Sequence, residues 1–146
     1  MQYQTTKAAA GAYRMAQTNS HTLDLIVALL DATIVALLRA GESRRDGRLD
    51  AELVELETVS RIMLGLNGAL DRSRAWPLVA HLERFYLTTS FQVLAIPRRR
   101  DPLAAGARLA TRLRGMRDAW ARVARQNVKV GGGSGPAANR DTNVIL

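Results

Sequence analysis

The sequence of 146 residues contains no cysteine, and this excludes disulfide bonds and thiolate metal sites. It contains only two histidines, and neither belongs to a Glu-x-x-His pair of the kind that binds iron in helical bundles. His21 follows Ser20 directly, but adjacency in sequence does not by itself make a nucleophile and its base. Glu55 and Glu57 stand two positions apart and therefore lie on different faces of a helix. These absences predict a protein that is not an enzyme and has no cofactor, catalytic site or metal site.

A long uncharged apolar segment is also lacking. The most apolar stretch, residues 23–38, contains Asp24 and Asp31, and an aspartate costs about 2.5–3.5 kcal/mol at the centre of a membrane-spanning helix. The N-terminus has no apolar core of a secretory signal peptide. With 47% apolar and 23% charged residues, the chain has the composition of a globular domain. We therefore expect no membrane span and a cytoplasmic location.

The positive charge is concentrated in the last third of the chain. Residues 1–96 contain ten basic and ten acidic side chains, whereas residues 97–146 contain eleven basic and three acidic ones and carry the whole net charge of +8. A basic helix can attract an acidic partner, a nucleic acid or a membrane surface. An arginine-rich helix face in contact with solvent has the same composition, and we favour that interpretation over nucleic-acid binding.

Helical periodicity is the strongest pattern that the chain does have. Apolar residues recur at alternating spacings of three and four, as in helices that bury one face, and strand-like alternation is absent. Gly41 suits the position after the first helix, Pro77 the first turn of the third, and Pro97 the end of the third. Asp101 and Pro102 offer an N-cap and a first turn for the fourth. We expect helices over residues 20–40, 49–70, 77–95 and 102–126.

The first of these helices is apolar nearly all round, so it must be covered on more than one side. Two interpretations remain open. The helix is either the core of its own bundle or a core helix whose second face lines a groove for another protein. Its main apolar face consists of Leu23, Ile26, Leu30, Ile34 and Leu37.

The second and third helices carry narrower apolar faces. In the second, we expect Glu52 and other acidic residues on the outer side. In the third, we expect Tyr86, Phe91 and Leu94 to widen the apolar face. The predicted faces are Leu49, Leu53, Leu56, Ser60, Met63, Asn67 and Leu70 in the second helix, and Leu78, Leu82, Phe85, Thr89 and Val93 in the third.

Four helices with short connections and complementary apolar faces predict an all-α, antiparallel four-helix bundle, which we place at residues 18–127. Residues 1–17 are expected to form a short, loosely ordered N-terminal segment. Residues 128–146 are expected to form a flexible tail, because residues 131–135 read GGGSG.

Several short motifs follow one another over about residues 13–125, and their specificity lies in their order and spacing. They are Tyr13 ahead of residues 18–20, residues 25–32 (LIVALLDA), residues 66–71 (LNGALD), Leu82 with Phe85 and Tyr86, Asp101 with Pro102, and residues 113–120 (LRGMRDAW). Taken in order, they resemble motifs of the flagellin-specific export chaperones, the FliS family. Tyr13 ahead of residues 18–20 is similar to the family's N-terminal tyrosine and helix start, and residues 25–32 are similar to its Leu-Ile and Met-Leu-Tyr-Asp-Gly run.

The resemblance implies a cytoplasmic helical-bundle chaperone that holds the disordered C-terminal segment of flagellin in a hydrophobic groove. Holding that segment blocks premature filament assembly and keeps the subunit ready for the flagellar export gate. Tyr13 is then a lid that vacates the groove when flagellin binds. The residues that we expect to line the groove are Ile26, Leu30, Ile34, Met63 and Leu66, and for each of them an ordinary core position is the alternative.

The chain also departs from the family pattern. His21 and Thr22 stand where the family has a proline after the helix-start serine, Leu30 replaces its mid-helix tyrosine, and Ala32 replaces the next glycine. Two alternatives to flagellin binding therefore stay open. One is a chaperone or adaptor of the same fold for a different secretion substrate, and the other is a basic helical protein that binds nucleic acid.

Overall fold

The computed structural model describes residues 20–73 and 77–131, which form four antiparallel α-helices. No strand occurs in either described range, and the predicted all-α four-helix bundle is confirmed. The elements are α1 at Ser20–Arg45, α2 at Leu49–Gly68, α3 at Pro77–Ala95, a short 3-10 helix at Ile96–Arg98, and α4 at Pro102–Gly131.

The ends of the chain are described only in part. The predicted N-terminal segment with Tyr13 lies outside the described residues, and so does the tail from residue 132 onward. Helix α4 continues to Gly131, five residues beyond the expected end at Gln126. None of the helices in the described ranges is both long enough and apolar enough to cross a membrane.

Helix α1 packs against two neighbours, α4 and α2. Asp31 and Arg117 join the antiparallel pair of α1 and α4, with Oδ1 and Nε 2.8 Å apart. Thr33, which interrupts the apolar run, is fully buried, and its hydroxyl donates a hydrogen bond of 2.6 Å to the Leu30 carbonyl oxygen. Contact on two sides explains most of the apolar surface of α1, and Leu25, Val35 and Leu38 remain 44–53% exposed outside that contact. The buried part of the predicted face consists of Leu23, Leu30, Ile34 and Leu37.

Helix α1 passes through Gly41, so the predicted end of this helix is wrong. A Cβ atom on Gly41 would lie 3.8 Å from Cδ2 of Leu103, an ordinary packing distance against α4. The helix ends at Arg45, and Gly47 follows in the left-handed conformation with φ of 72°. The Gly47 amide donates a hydrogen bond of 3.0 Å to the Arg44 carbonyl oxygen. A glycine in a helix interior costs only about 1 kcal/mol relative to alanine, so packing against α4 can outweigh it.

The start of α2 also differs from the prediction, because Glu52 is buried. Only 3% of Glu52 is exposed, and its two carboxylate oxygens accept hydrogen bonds of 2.8 and 3.0 Å from Nη1 of Arg44. Leu49 and Leu53, predicted to be buried, are 59% and 47% exposed. The predicted face follows a seven-residue repeat, whereas a straight helix has 3.6 residues per turn, so the two diverge toward the helix ends. The observed buried face is Glu52, Leu56, Val59, Ser60, Met63 and Leu66.

In α3, the expectation of a widened apolar face holds for Tyr86 only. Tyr86 is 2% exposed, whereas Phe91 and Leu94 are 72% and 43% exposed. Helix α3 packs extensively on α2 and only lightly on α4, and this leaves one flank of α3 uncovered.

The two glycines near the end of α1 predict opposite effects of alanine. Gly47→Ala is expected to lower the free energy of unfolding by about 1–2 kcal/mol, because a Cβ atom is strained in the left-handed conformation. Gly41→Ala is expected to raise it by up to about 1 kcal/mol, because the helix gains propensity and the new methyl group makes an ordinary contact of 3.8 Å with Leu103. Urea unfolding of both variants measures the difference, and equal effects would contradict the observed helix end.

Candidate binding pocket

An open apolar pocket of about 320 Å³ lies at the end of the bundle where α1 begins and α2 ends. All four helices contribute to its wall. Helices α1 and α2 supply most of the lining, and the deeper side chains come from α3 and α4. The lining residues used below are Leu25, Ile26 and Leu29 of α1, Ile62, Gly65 and Leu66 of α2, Leu82 and Tyr86 of α3, and Trp120 of α4. We refer to this cavity as the apolar pocket.

Small residues on α2 keep the apolar pocket open. Gly65 and Ala69 both line it, and no atom lies within 4 Å of the place where a Cβ atom on Gly65 would stand. On the facing helix, Leu25 lines the pocket although 53% of it is exposed. An unfilled apolar space with a half-exposed leucine at its edge favours an apolar ligand, because filling it removes apolar surface from water.

The structure divides the predicted groove residues into two groups. Ile26 and Leu66 line the apolar pocket. Leu30 and Met63 have no exposed surface, and Ile34 is 9% exposed, so these three lie in the core between helices. Their burial follows from the position of α1, which α2 and α4 cover from two sides. Tyr13, the predicted lid, lies outside the described residues.

Several lining residues were not among the predicted set. Leu25 and Leu29 belong to the flanks of the apolar α1 sequence, and Ile62 stands next to the predicted position Met63. The breadth of the α1 apolar surface was the available signal for Leu25 and Leu29. Trp120 belongs to the apolar stripe of α4, and only the fold shows that it reaches a cavity.

The departures from the family pattern fall in different environments. Leu30 is fully buried, so the core of this chain accommodates it and it does not border the apolar pocket. Ala32 is exposed on α1. Neither of these two positions contributes to the described lining, whereas Thr22, another departure, does.

Two polar groups lie among the deep residues of the apolar pocket. Burial raises the pKa of the Tyr86 hydroxyl from 10.0 to about 12, and the neighbouring Trp120 indole opposes part of this shift. In the described part of the chain, Nε1 of Trp120 is a buried donor without an acceptor at hydrogen-bond distance and angle. The Phe85 ring meets Tyr86 edge to face, with ring centroids 6.0 Å apart.

The described lining of the apolar pocket contains few groups for acid–base or metal chemistry. Tyr86 is the one titratable side chain among its described lining residues. Residues 20–73 and 77–131 contain no group of three or more His, Cys, Asp or Glu side chains that could hold a metal ion. An open apolar pocket at one end of a helical bundle can accept apolar side chains of a partner segment.

The chain belongs to the FliS family. The family model described as flagellar protein FliS matches residues 5–127, which is most of the chain and includes every described helix up to the last turn of α4. This confirms the resemblance drawn from the motifs and places the chain in a family of flagellar export chaperones. No curated protein and no solved structure matches the chain.

The raised pKa of Tyr86 predicts a loss of stability at high pH. The unfolded chain loses the tyrosine proton near pH 10 and the folded chain near pH 12, so the contribution is fully present below pH 10 and is lost as the pH rises from 10 to 12. By pH 11 the loss should be about 1.4 kcal/mol. Urea unfolding at pH 8 and pH 11 checks this. Tyr86→Phe should remove that part of the decrease, and a parallel decrease in both proteins would contradict the assignment.

Proposed function

We propose that this chain is a cytoplasmic flagellar export chaperone that binds the disordered C-terminal segment of flagellin. The observation that supports this most is the apolar pocket, because it is open, apolar and lined by all four helices of a FliS-family bundle. Bound flagellin could not enter a filament prematurely and would stay competent for export. Delivery to the flagellar export gate belongs to the same proposal.

The size of the pocket suggests how the segment binds. At about 320 Å³ the apolar pocket is at the lower end of the range for ligand sites. It therefore has room for apolar side chains of the segment, while the rest of the segment lies along the bundle. Each apolar side chain that is fully buried contributes about 1.5–3 kcal/mol. The cost of ordering a disordered segment offsets part of that gain, so several anchors are needed.

Tyr13 is proposed to occupy the apolar pocket until flagellin arrives. It stands seven residues before Ser20, where α1 begins at the pocket end of the bundle. An extended chain covers about 3.3–3.6 Å per residue, so the tyrosine has the reach to enter the pocket. An aromatic ring would suit its apolar wall, and its hydroxyl would offer an acceptor to Nε1 of Trp120.

Binding to flagellin is tested by calorimetric titration of the full chain with a C-terminal segment of the flagellin from the same bacterium. Apolar burial predicts a negative heat-capacity change and affinity that persists from about 50 to 500 mM salt. Phosphate contacts would instead weaken steeply over this range, so nucleic acid is titrated in parallel. The absence of heat with flagellin would overturn the proposal and favour a different secretion substrate.

Two leucines of α1 give a matched pair of variants for the same titration. Leu25 lines the apolar pocket and is 53% exposed, whereas Leu38 is 50% exposed and lies outside the described pocket lining. Leu25→Glu is expected to weaken flagellin binding at least tenfold, because it brings a charge to the pocket wall. Leu38→Glu is expected to change binding less than threefold. Equal losses in both variants would show that the pocket does not hold the segment.

Filling the pocket gives an independent test. Gly65→Leu should occupy the apolar pocket, since no atom lies within 4 Å of its Cβ position. Flagellin binding is then expected to fall at least tenfold, while stability rises because a helical glycine has been replaced. Gly115→Leu on α4, also without a neighbour within 4 Å, should raise stability and leave binding unchanged. Fluorescence of Trp120 in a Trp76→Phe background reports pocket occupancy, and undiminished binding to Gly65→Leu would contradict the site.

A further inference from the structure

A second cavity, of about 300 Å³, opens at the opposite end of the bundle, between the C-terminal end of α3 and the first turns of α4. We call it the arginine cleft, because Arg99, Arg108 and Arg112 line it. It shares no described lining residue with the apolar pocket. A ligand of the arginine cleft therefore goes beyond the function proposed above.

The cleft exists because α3 and α4 separate here. Helix α3 contacts α4 far less than it contacts α2, and small side chains at Ala95 and Ala105 face the gap. Arg112 of α4 contacts α3 across the cleft. Its Nη1 donates a hydrogen bond of 2.7 Å to Oε1 of Gln92, and its guanidinium carbon lies 5.8 Å from the centre of the Phe85 ring. Arg112 is thus held in place before any ligand binds.

The other two arginines of the cleft have no acidic partner among the described residues. Arg99 and Arg108 are exposed, and within residues 20–73 and 77–131 neither forms an ion pair or a side-chain hydrogen bond. No acidic side chain is among the described lining residues. Asp101, which is close in sequence, is not part of the described lining, and its Oδ1 accepts a hydrogen bond of 3.1 Å from the Ala104 amide at the start of α4. The cleft is therefore an uncompensated positive site.

The base of the cleft is apolar. Ala95, Ile96, Ala105 and Leu109 supply the non-arginine lining next to Gln92. Arginines around an apolar centre are typical of the energetically dominant part of a protein–protein interface. Arg108 is one helical turn before Arg112, so the two present charges at the spacing at which a partner helix places carboxylates four residues apart.

We propose that the arginine cleft binds an acidic segment of a partner protein, a helix with two carboxylates one turn apart and an apolar side chain next to them on the helix surface. The carboxylates pair with Arg99, Arg108 and Arg112, and the apolar side chain covers the centre of the cleft. Charge complementarity selects the partner, since residues 97–146 carry the whole net charge of +8. Nucleic acid fits less well, because the described lining contains no aromatic ring for a base to stack on and an apolar centre gives phosphate no contact.

The test is fluorescence anisotropy with a labelled synthetic peptide of about fifteen residues, alanine-rich, with two glutamates four positions apart and a leucine three positions after the first glutamate, where it neighbours that glutamate on the helix surface. The full chain at about 150 mM salt should bind it saturably. Replacing the glutamates with glutamine should weaken binding at least tenfold, and replacing the leucine with serine should weaken it severalfold. No saturable binding, or equal binding of the glutamine peptide, would overturn the proposal.

Charge-matched variants locate the site. Arg99→Gln with Arg108→Gln should weaken binding of the acidic peptide at least tenfold. Arg114→Gln with Arg125→Gln removes the same charge from exposed positions outside the described cleft lining, and should weaken it less than threefold. Circular dichroism verifies that both double variants stay helical. Equal losses in the two would show that only net charge matters and would overturn the proposal.

Two further measurements distinguish peptide binding in the cleft from binding in the apolar pocket and from nucleic-acid binding. Gly65→Leu should bind the acidic peptide like the unchanged protein, because the apolar pocket lies at the other end of the bundle. Loss of peptide binding in Gly65→Leu would overturn the assignment of the peptide to the arginine cleft. A twenty-nucleotide oligothymidine should bind more weakly than the peptide. Tighter binding of the oligonucleotide with the same dependence on Arg99 and Arg108 would assign the cleft to nucleic acid instead. None of these results depends on whether flagellin occupies the apolar pocket.

Discussion

The packing of α1 between α2 and α4 is the constraint on which the rest of this bundle depends. It explains most of the apolar surface of α1, and it buries Thr33 with its hydroxyl bonded to the Leu30 carbonyl oxygen. It also decides which apolar side chains remain available for a partner. Leu30 and Ile34 are buried between helices, whereas Leu25, near the start of α1, is half-exposed and lines the apolar pocket. Core and pocket lining thus alternate along one helix, since Leu23 and Leu30 lie in the core while Leu25 and Leu29 line the apolar pocket.

Much of the fold could be predicted because its signals are local. Pro77, Pro97 and the Asp101–Pro102 pair mark helix boundaries through backbone geometry, and α3 begins and α4 starts where they indicate. The predicted end of α1 at Gly41 was wrong because a glycine marks a helix end only where a left-handed residue is required, and that residue is Gly47. The predicted exposure of Glu52 was wrong because its burial depends on Arg44, which lies on another helix and cannot be found from the periodicity of α2.

The candidate sites could be predicted less well, because they depend on which helices are neighbours. The breadth of the α1 apolar surface indicated that some of it would be free, and Ile26 and Leu66 do line the pocket. The sequence does not distinguish Leu30, Ile34 and Met63 from the pocket residues, because all of them are apolar and recur at helical spacing. The packing of α2 and α4 decides which of these side chains are buried between helices. The arginine cleft combines Gln92, Arg99 and Arg108 from three segments, so their proximity is a property of the fold.

The light contact between α3 and α4 has a consequence for where this bundle can form cavities. Helix α3 is a common wall, since Leu82 and Tyr86 line the apolar pocket and Gln92 and Ala95 line the arginine cleft. It packs extensively on α2, and its contact with α4 includes the hydrogen bond between Arg112 and Gln92. A helix that packs closely on one neighbour leaves its other flank accessible to ligands. In this bundle that flank is divided between two cavities that share no described lining residue.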